Sequence, residues 1–209
     1  VTTPQAKGVI SEEHPLSLRT CGMAASWWAR RYMKQEIDLA LVLGTDLDDA
    51  SVAGTPPVGK TGTLIHVDTN PGVIGRNFST RIAAVYDVGV FSDALRGVVQ
   101  SAGGSRVRSE LLEALHAESP FDAEHFTTDP AFPIAPHRVL ADLQRSAGSE
   151  TRWVTDIGEH MLFALHYLTA TGPGRASSCS RPTTPTATSS RPCLPARTAI
   201  CSRTRAAVR

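Results

Sequence analysis

Acidic residues are absent from the last 50 positions of this 209-residue sequence, since all 20 of them lie at or before Glu159. Residues 1–170 hold 14 Lys and Arg and a net charge of −6, whereas residues 171–209 hold seven Arg and a charge of +7. The overall net charge of +1 hides this division. The two stretches have different compositions and are therefore interpreted separately.

Long apolar runs, signal sequences and paired cysteines are also absent. No apolar run is long enough to span a membrane and no secretory signal opens the chain, so we predict a cytoplasmic protein without a membrane partner. Cys21 is alone in residues 1–170, and the three tail cysteines lack CxxC spacing and accompanying histidines. This excludes a zinc site of ordinary spacing and gives no disulfide framework. Because Val1 is not Met, we expect a piece of a longer protein.

The tail, residues 171–209, consists of Arg, Pro, Ser, Thr, Ala and Cys with almost no large apolar residue. Such a stretch buries too little surface to offset its chain entropy, so it is predicted to be disordered. A basic nucleic-acid arm and a disordered linker are two interpretations. We favour a third, GC-rich coding DNA read out of frame, and predict no nucleic-acid partner. Sequencing the source DNA around the Thr171 codon tests this hypothesis, which fails if no one-base shift restores an α/β continuation.

Apolar strands alternate with helical patterns over residues 1–117. Leu39–Leu43 is an unbroken apolar run, which predicts a strand covered on both faces, as in a parallel sheet with helices on each side. The order of elements predicts an α/β fold, a Rossmann-like parallel sheet flanked by helices. Further strands are predicted over 63–68 and 82–86, helices over 22–34, 87–100 and 110–116, and a loop over 50–61.

A second α/β unit begins after a linker that is predicted over 118–133 from its prolines. Pro136 suits the first turn of a helix that runs to about residue 145. A strand is predicted over 153–157 and an apolar helix over 161–168. Because the α/β pattern then stops, residues 134–170 are predicted to be an incomplete unit.

The loop Gly44–Asp49 lies beyond the end of the first strand, where ligands bind in parallel sheets. Its carboxylates, Asp46, Asp48 and Asp49, can bind a hard cation, but we favour solvated or helix-capping side chains. His66 lies within an apolar strand and is predicted to be packed or hydrogen-bonded. No Ser-His-Asp or Cys-His arrangement can be defended from spacing, so no catalytic residue and no metal ligand is predicted.

The stretch Gly54-Thr-Pro-Pro-Val-Gly-Lys-Thr61 matches the P-loop pattern GxxxxGK followed by Ser or Thr. A P-loop follows a strand and opens a helix, so that consecutive N–H groups hold phosphate. Here a loop precedes the pattern and a predicted strand follows it, and Pro56 and Pro57 remove two donors. We therefore predict no triphosphate loop. Loss of ATP-dependent behaviour in Lys60→Ala would contradict this.

The stretch Asp156-Ile-Gly-Glu-His160 places a glycine and two polar side chains at a strand-to-helix turn. Backbone N–H groups at such a turn can meet an anion such as a diphosphate. A capped helix start explains these residues equally well.

Two ordered sets of phrases over residues 7–170 resemble the thiamine-diphosphate-dependent enzymes of the acetolactate synthase type. The resemblance implies a middle domain over 1–117 and the truncated start of the thiamine-diphosphate-binding domain over 134–170. The second set is Ile134–Leu140 with Thr155-Asp-Ile-Gly-Glu-His160. The first set is Gly8-Val-Ile-Ser-Glu-Glu-His-Pro-Leu-Ser-Leu18, Gly22-Met23, Asp38–Asp49, Ile65-His-Val-Asp68 with Pro71 and Ile74-Gly75, and Asp87.

The resemblance also implies a nucleotide site in the middle domain, which in the family is a six-stranded unit that binds FAD in some members, ADP in others and nothing in many. Gly22, Met23, Gly44 and Asp48 match positions that line the flavin site. The family's Gly-Ala-Arg-Phe-Asp-Asp-Arg is replaced here by Gly44-Thr-Asp-Leu-Asp-Asp-Ala50, which lacks both arginines. Arg is the usual bidentate partner of phosphate, so FAD is predicted to bind weakly or not at all.

At the second motif, Gly158 and His160 match the family's Gly-Gln-His, whose side chains contact thiamine diphosphate, and Glu159 replaces the amide. The resemblance implies thiamine diphosphate and Mg²⁺ as cofactors of the intact parent enzyme. The family's activating glutamate would precede Val1, and its Gly-Asp-Gly…Asn metal segment would lie beyond Thr171. The chain alone is therefore predicted to be inactive.

These observations favour a fragment of a thiamine-diphosphate-dependent 2-oxo-acid decarboxylase or carboligase of acetolactate synthase type. The resemblance implies a 2-oxo acid such as pyruvate as the substrate and a homodimer or homotetramer as the assembly. The alternative, from another class, is a non-catalytic Rossmann-like nucleotide-binding or scaffold domain with a disordered basic tail. Binding of an adenine nucleotide only would favour that alternative.

Overall fold

The computed structural model describes residues 1–103, 110–123, 127–128, 130, 132–148, 151–173, 176–178 and 198–201. Two 3-10 helices, Pro4–Ala6 and Gly22–Ala24, lie in the first 30 residues. The α-helices are α1 Trp27–Tyr32, α2 Asp49–Val52, α3 Val88–Ser101, α4 Glu110–His116, α5 Pro136–Ser146 and α6 Glu159–Tyr167. The strands are β1 Leu39–Leu43, β2 Thr63–Asp68, β3 Ile82–Val85, β4 Arg152–Thr155, β5 Ala176–Ser178 and β6 Thr198–Cys201.

The first sheet has the order β1-β2-β3, and both of its strand pairs are parallel. Leu41 of β1 stands opposite Ile65 of the central strand, which in turn stands opposite Ile82 of β3. The connection from β1 to β2 carries the short helix α2, whereas the connection from β2 to β3 contains no helix. The predicted Rossmann-like parallel sheet flanked by helices is confirmed.

Only one face of the edge strand β1 is covered in the described structure. Val42 is buried with Leu47 and Leu64, whereas Leu39 is 57 % exposed and Leu41 is 39 % exposed. Helix α3 is amphipathic, yet it has no buried residue. The prediction that β1 is covered on both faces is therefore wrong. An unbroken apolar run indicates that both faces of a strand are apolar, but it does not show which segment of the protein covers each face.

The helix predicted over 22–34 is interrupted. The 3-10 helix Gly22–Ala24 ends at Ala25, whose extended backbone (φ −57°, ψ 135°) breaks the helical path. Ser26 then caps α1, because its Oγ accepts a hydrogen bond from the Ala29 amide at 3.0 Å and donates to the Leu18 carbonyl at 2.6 Å. Serine is among the preferred N-cap residues, so it starts a new helix here.

A short helix also replaces part of the predicted loop over 50–61. The turn α2 begins after Asp48, which acts as its N-cap, and ends at Ala53, whose φ of 46° places it in the left-handed region. The helix-capping interpretation of this carboxylate is therefore confirmed.

The second unit packs α5 and α6 against β4, around Leu140, Trp153 and Leu168. Strands β5 and β6 flank β4, and both pairs are parallel. These two strands lie within the predicted tail, 171–209. The other tail residues beyond 173 lie outside the described residues, so the predicted disorder and the frameshift stay predictions, as do the domain boundaries.

The two units contact each other through residues far apart in the sequence. His166 Nδ1 lies 3.1 Å from the Ala25 carbonyl oxygen, and Arg30 pairs with Asp122 at 3.1 Å. Burial lowers the pKa of His166, with the nearby Asp122 carboxylate opposing the shift. A neutral imidazole therefore fills this junction.

Candidate functional site

The turn between β4 and α6 carries the predicted anion-contacting residues. Gly158 is the N-cap of α6 and has φ 152°. A Cβ atom built on it would lie 2.8 Å from Cε1 of His160, so glycine is required by both the backbone conformation and the close approach of that ring. The turn therefore holds the imidazole directly over the start of the helix.

His160 has a buried nitrogen without a partner. Its Nε2 and the Oγ1 of Thr155, at the end of β4, make no hydrogen bond in the described part of the chain. A buried polar atom without a partner costs about 1–3 kcal/mol, and a ligand or water commonly supplies the missing bond. His160 and Gly158 therefore fit a group rich in oxygen acceptors, as a diphosphate is.

Glu159 is the residue that fits such a group least well. It is exposed and occupies the first turn of α6, where a carboxylate is favoured by the helix dipole. The same negative charge repels a phosphate group that would use this helix start. The turn thus combines two residues that suit an anion with one that opposes it.

The loop Gly44–Asp49 lies at the carboxyl end of β1, as predicted. Gly44 has φ 64°, and its amide donates to the Val67 carbonyl at 2.9 Å. Asp48 Oδ1 accepts from the Ser51 amide at 2.9 Å and from the Ser51 hydroxyl at 2.6 Å. Asp46 forms an ion pair with Arg76. Both carboxylates are therefore occupied by partners within the chain.

Gly22 brings the 3-10 helix against the same loop. Its φ is 73°, and an added Cβ would lie 2.1 Å from the Ala50 carbonyl oxygen. The neighbouring Cys21 Sγ lies 3.3 Å from the Ser51 carbonyl oxygen, to which it donates, and burial raises the pKa of this thiol. Gly22 and Asp48 are therefore brought together around α2.

Met23 points elsewhere, since it is 52 % exposed. Arg76 donates a hydrogen bond to the Asp46 carboxylate of this loop, so its charge is already paired. A flavin diphosphate needs free cationic or N–H donors. The residues of this loop do not fit FAD, because their polar groups already bind one another.

His66 connects this loop to the central strand. It is 2 % exposed, its Nε2 lies 2.8 Å from the Thr45 carbonyl oxygen, and its Nδ1 accepts from the Gly75 amide at 3.4 Å. The prediction of a packed, hydrogen-bonded histidine is confirmed. Its Nε2 donates to the carbonyl, so His66 fixes the loop and is not available as a base.

The P-loop-like stretch Gly54–Thr61 lies between α2 and β2. A strand follows it where a P-loop would open a helix, so the helix N-terminus that binds phosphate is missing at this position. The structural argument against a P-loop is therefore confirmed. Its lysine, Lys60, instead lines a cleft at the opposite end of the sheet from Gly44.

A buried charge cluster was not predicted from the sequence. Lys7 Nζ lies 2.5 Å from Glu12 Oε1, and both side chains are 1 % exposed. Arg19 contacts the other oxygen of Glu12 at 3.1 Å. Burial lowers the pKa of Lys7 to about 8, and the Glu12 carboxylate opposes that shift. Two cations thus share one carboxylate.

The same cluster joins the N-terminal segment to the end of the second unit. Glu12 Oε2 accepts from the Ala170 amide at 2.9 Å, and Arg19 donates to the Leu168 carbonyl at 3.2 Å and to the Thr169 hydroxyl at 3.0 Å. These bonds satisfy backbone groups of the second unit. We therefore assign the cluster to interdomain structure.

Over the residues described, no group of three or more His, Cys, Asp or Glu side chains is arranged to hold a metal ion. In that same part of the chain, no helix combines the length and apolar character needed to cross a bilayer.

The sequence profile described as "Thiamine pyrophosphate enzyme, central domain" matches residues 1–95. An acetolactate synthase large subunit from Cyanidium caldarium is 25 % identical over 169 residues, which cover 80 % of this chain and 28 % of that protein. A probable acetolactate synthase large subunit from Methanocaldococcus jannaschii is 27 % identical, over 79 % of this chain and 29 % of its own length. The chain spans less than a third of the length of these relatives.

Proposed function

We propose that the chain is part of a 2-oxo-acid decarboxylase or carboligase of the thiamine pyrophosphate enzymes. The match of residues 1–95 to the central-domain profile and the similarity to acetolactate synthases support this proposal. The relatives are described as acetolactate synthases, and the alignment with them continues past the central domain. In this proposal residues 134–170 begin the domain that holds the cofactor's diphosphate. A 2-oxo acid is the proposed substrate and a homodimer or homotetramer the proposed assembly.

The turn at Gly158–His160 carries this proposal. The Cε1–Nδ1 edge of the His160 ring lies against Gly158, the N-cap of α6, and its buried Nε2 has no partner among the described residues. A diphosphate oxygen that reached this turn could accept a hydrogen bond from Nε2. Thiamine diphosphate, when bound, supplies the carbanion chemistry, and the protein supplies binding and orientation. His160 would donate to the diphosphate, Gly158 would allow its close approach, and Glu159 would reduce the affinity.

We further propose that FAD is not a cofactor of this protein. The loop that matches the flavin site lacks both family arginines, and Asp46 engages Arg76. A phosphate entering there would have to displace an ion pair while facing a carboxylate. A purified protein that is yellow and carries flavin would contradict this.

Catalysis by the chain alone is not part of the proposal. In the family, an activating glutamate and a Mg²⁺-anchoring segment complete the site, and neither matches a motif in residues 7–170. We expect no acetolactate formation from pyruvate by the purified chain with thiamine diphosphate and Mg²⁺. Measurable turnover by the chain alone would contradict this expectation.

Calorimetric titration of the full chain tests the assignment of the turn. Thiamine diphosphate with Mg²⁺ should bind weakly, and His160→Ala should weaken that binding about tenfold, because one charge-assisted or neutral hydrogen bond to a phosphate contributes about 1.5 kcal/mol. His14→Ala, which alters an exposed turn histidine, is the matched control and should leave binding unchanged.

Parallel titrations with FAD, ADP and NAD decide between the two function classes. No binding of these three ligands at the loop Gly44–Asp49 is expected. Binding of an adenine nucleotide at this loop, without binding of thiamine diphosphate, would overturn the proposal in favour of a non-catalytic nucleotide-binding domain.

A further inference from the structure

A cleft of about 730 Å³ opens at the amino-terminal ends of the first sheet's strands. It lies between the residues that precede β1, the loop that precedes β2 and Arg81, which precedes β3. The loop Gly44–Asp49 lies at the opposite, carboxyl end of the same strands. The cleft is therefore separate from the loop that resembles a flavin site, and its volume is within the range of about 300–1,000 Å³ usual for small-molecule sites.

Positive charge dominates the rim of the cleft. Lys34, Lys60 and Arg81 line it, all three are exposed, and within the described residues none of them forms an ion pair with a carboxylate. Among the described residues that line the cleft, Glu36 is the single acidic one. The cleft thus carries a net charge of +2, which favours an anion.

The floor of the cleft is apolar. Leu64 is 1 % exposed, and Phe78 packs against the buried cluster to which Leu64 belongs while still lining the cleft. The partly exposed Phe78 ring offers favourable contact to a planar apolar group. The combination of such a floor with a cationic rim matches a molecule that has an apolar body and a charged end.

Two glycines hold the wall that carries Lys60. The Gly59 amide donates to the Ile37 carbonyl at 2.9 Å, and an added Cβ at Gly59 would lie 2.1 Å from Glu36 Oε2. At Gly62, an added Cβ would lie 2.4 Å from the Ile37 carbonyl oxygen. The wall is therefore packed closely against the segment before β1, and Lys60 is presented by a preformed loop. This assigns a binding role to the lysine of the P-loop-like stretch without a P-loop.

We propose that this cleft binds a flat organic anion, an aromatic or similarly planar molecule that carries a phosphate or carboxylate group. The planar body packs on Phe78, above the buried Leu64, and the anionic group pairs with Lys34, Lys60 and Arg81. The proposal does not depend on thiamine diphosphate binding at Gly158–His160.

Titration of the full chain with 1-naphthyl phosphate and with 2-naphthoate tests the proposal at low salt. At least one of the two should bind, and the tighter one identifies phosphate or carboxylate as the preferred anionic group. Lys60→Ala and Arg81→Ala should each weaken binding about fivefold or more, because each removes a charge-assisted contact. Glu36→Gln should tighten it about twofold or more by removing the one carboxylate.

Arg96→Ala is the matched control, because it removes one exposed positive charge on α3, outside the cleft. It should change the affinity less than twofold, and circular dichroism should show that every variant keeps the wild-type helix content. An equal loss in Arg96→Ala would overturn the proposal, since binding would then follow net charge. Inorganic phosphate that binds as tightly as 1-naphthyl phosphate, or no binding of either naphthyl compound, would overturn it as well.

Discussion

Two loops of this molecule follow parallel strands, and they differ in whether their polar groups have partners. After β1, the carboxylates of Asp46 and Asp48 are engaged by Arg76 and by Ser51. After β4, the buried Nε2 of His160 has no partner among the described residues, although its turn likewise lies at the carboxyl end of a strand. Topology places a loop where a ligand can bind, and the unsatisfied hydrogen-bonding groups decide whether one is needed.

The largest expected effect is on stability, from Gly22→Ala, which changes the residue that packs against α2 beside the loop Gly44–Asp49. The new Cβ would lie 2.1 Å from a backbone oxygen of α2, and the φ of 73° is unfavourable for alanine. We expect a loss of at least about 4 kcal/mol in the free energy of unfolding, as measured by urea denaturation.

Gly97→Ala is the matched control for that substitution. Gly97 lies within α3, where an added Cβ meets nothing within 4 Å, so alanine should stabilise the protein by up to about 1 kcal/mol. If the two variants unfolded at the same urea concentration, the close packing of Gly22 on α2 would be refuted.

Strand positions in the first sheet could be predicted from the sequence, because short runs rich in apolar residues are bounded by glycine or polar residues. The bounds predicted for β2, 63–68, agree with Thr63–Asp68, and the helix predicted over 87–100 agrees with α3, Val88–Ser101, within one residue. The interruption before α1 was detectable too, since Ser26 is a favourable N-cap, but the apolar pattern on both sides of it obscured the signal.

Features that depend on distant contacts could not be predicted in this way. The cluster of Lys7, Glu12 and Arg19 is completed by backbone groups near Ala170, more than 150 residues away. The exposure of one face of β1 could not be predicted either. Apolar residues such as Leu39 suggest that a face is buried, but they do not show whether another segment covers it. At the candidate turn, the residue types predicted an anion contact, while the missing partner of the histidine required the structure.

The second prediction concerns the junction between the two regions. Lys7 has a folded-state pKa of about 8, below its usual 10.5, because it is buried. Between these pH values the unfolded chain binds a proton that the folded chain does not, so stability should rise with pH. We expect an increase of up to about 3 kcal/mol in the free energy of unfolding from pH 8 to pH 10.5.

Lys7→Met supplies the control for this pH dependence, since it keeps a long side chain without a titrating group. Because burial raises the pKa of the Cys21 thiol, which opposes the rise, the measured quantity is the difference between the unfolding free energies of the two proteins. This difference should change with pH in favour of the wild type, and a constant difference would argue against a buried, partly neutral lysine. Urea denaturation at four or five pH values gives both curves.

A smaller loss of stability is expected from Asp48→Ala in the loop Gly44–Asp49. The substitution removes the acceptor of the Ser51 amide and hydroxyl hydrogen bonds, and a lost N-cap costs about 1 kcal/mol. Asp49→Ala, one residue later and without a cap bond among the described contacts, is the matched control and should cost less. Equal losses in urea denaturation would show that the capping bond contributes nothing.

The smallest effect is expected from Glu159→Gln, at the turn between β4 and α6. This substitution restores the family's amide and removes a negative charge from the first turn of α6, whose interaction with the helix dipole contributes only about 0.3–1 kcal/mol. Removing the charge should tighten thiamine diphosphate binding about two- to fivefold, as measured by calorimetry with Mg²⁺. Glu113→Gln, an equivalent change in α4, should leave binding unchanged. If both substitutions raised the affinity alike, the gain would come from net charge. Such a result would argue against a diphosphate site at the turn after β4, and so against the proposed difference between this turn and the loop after β1.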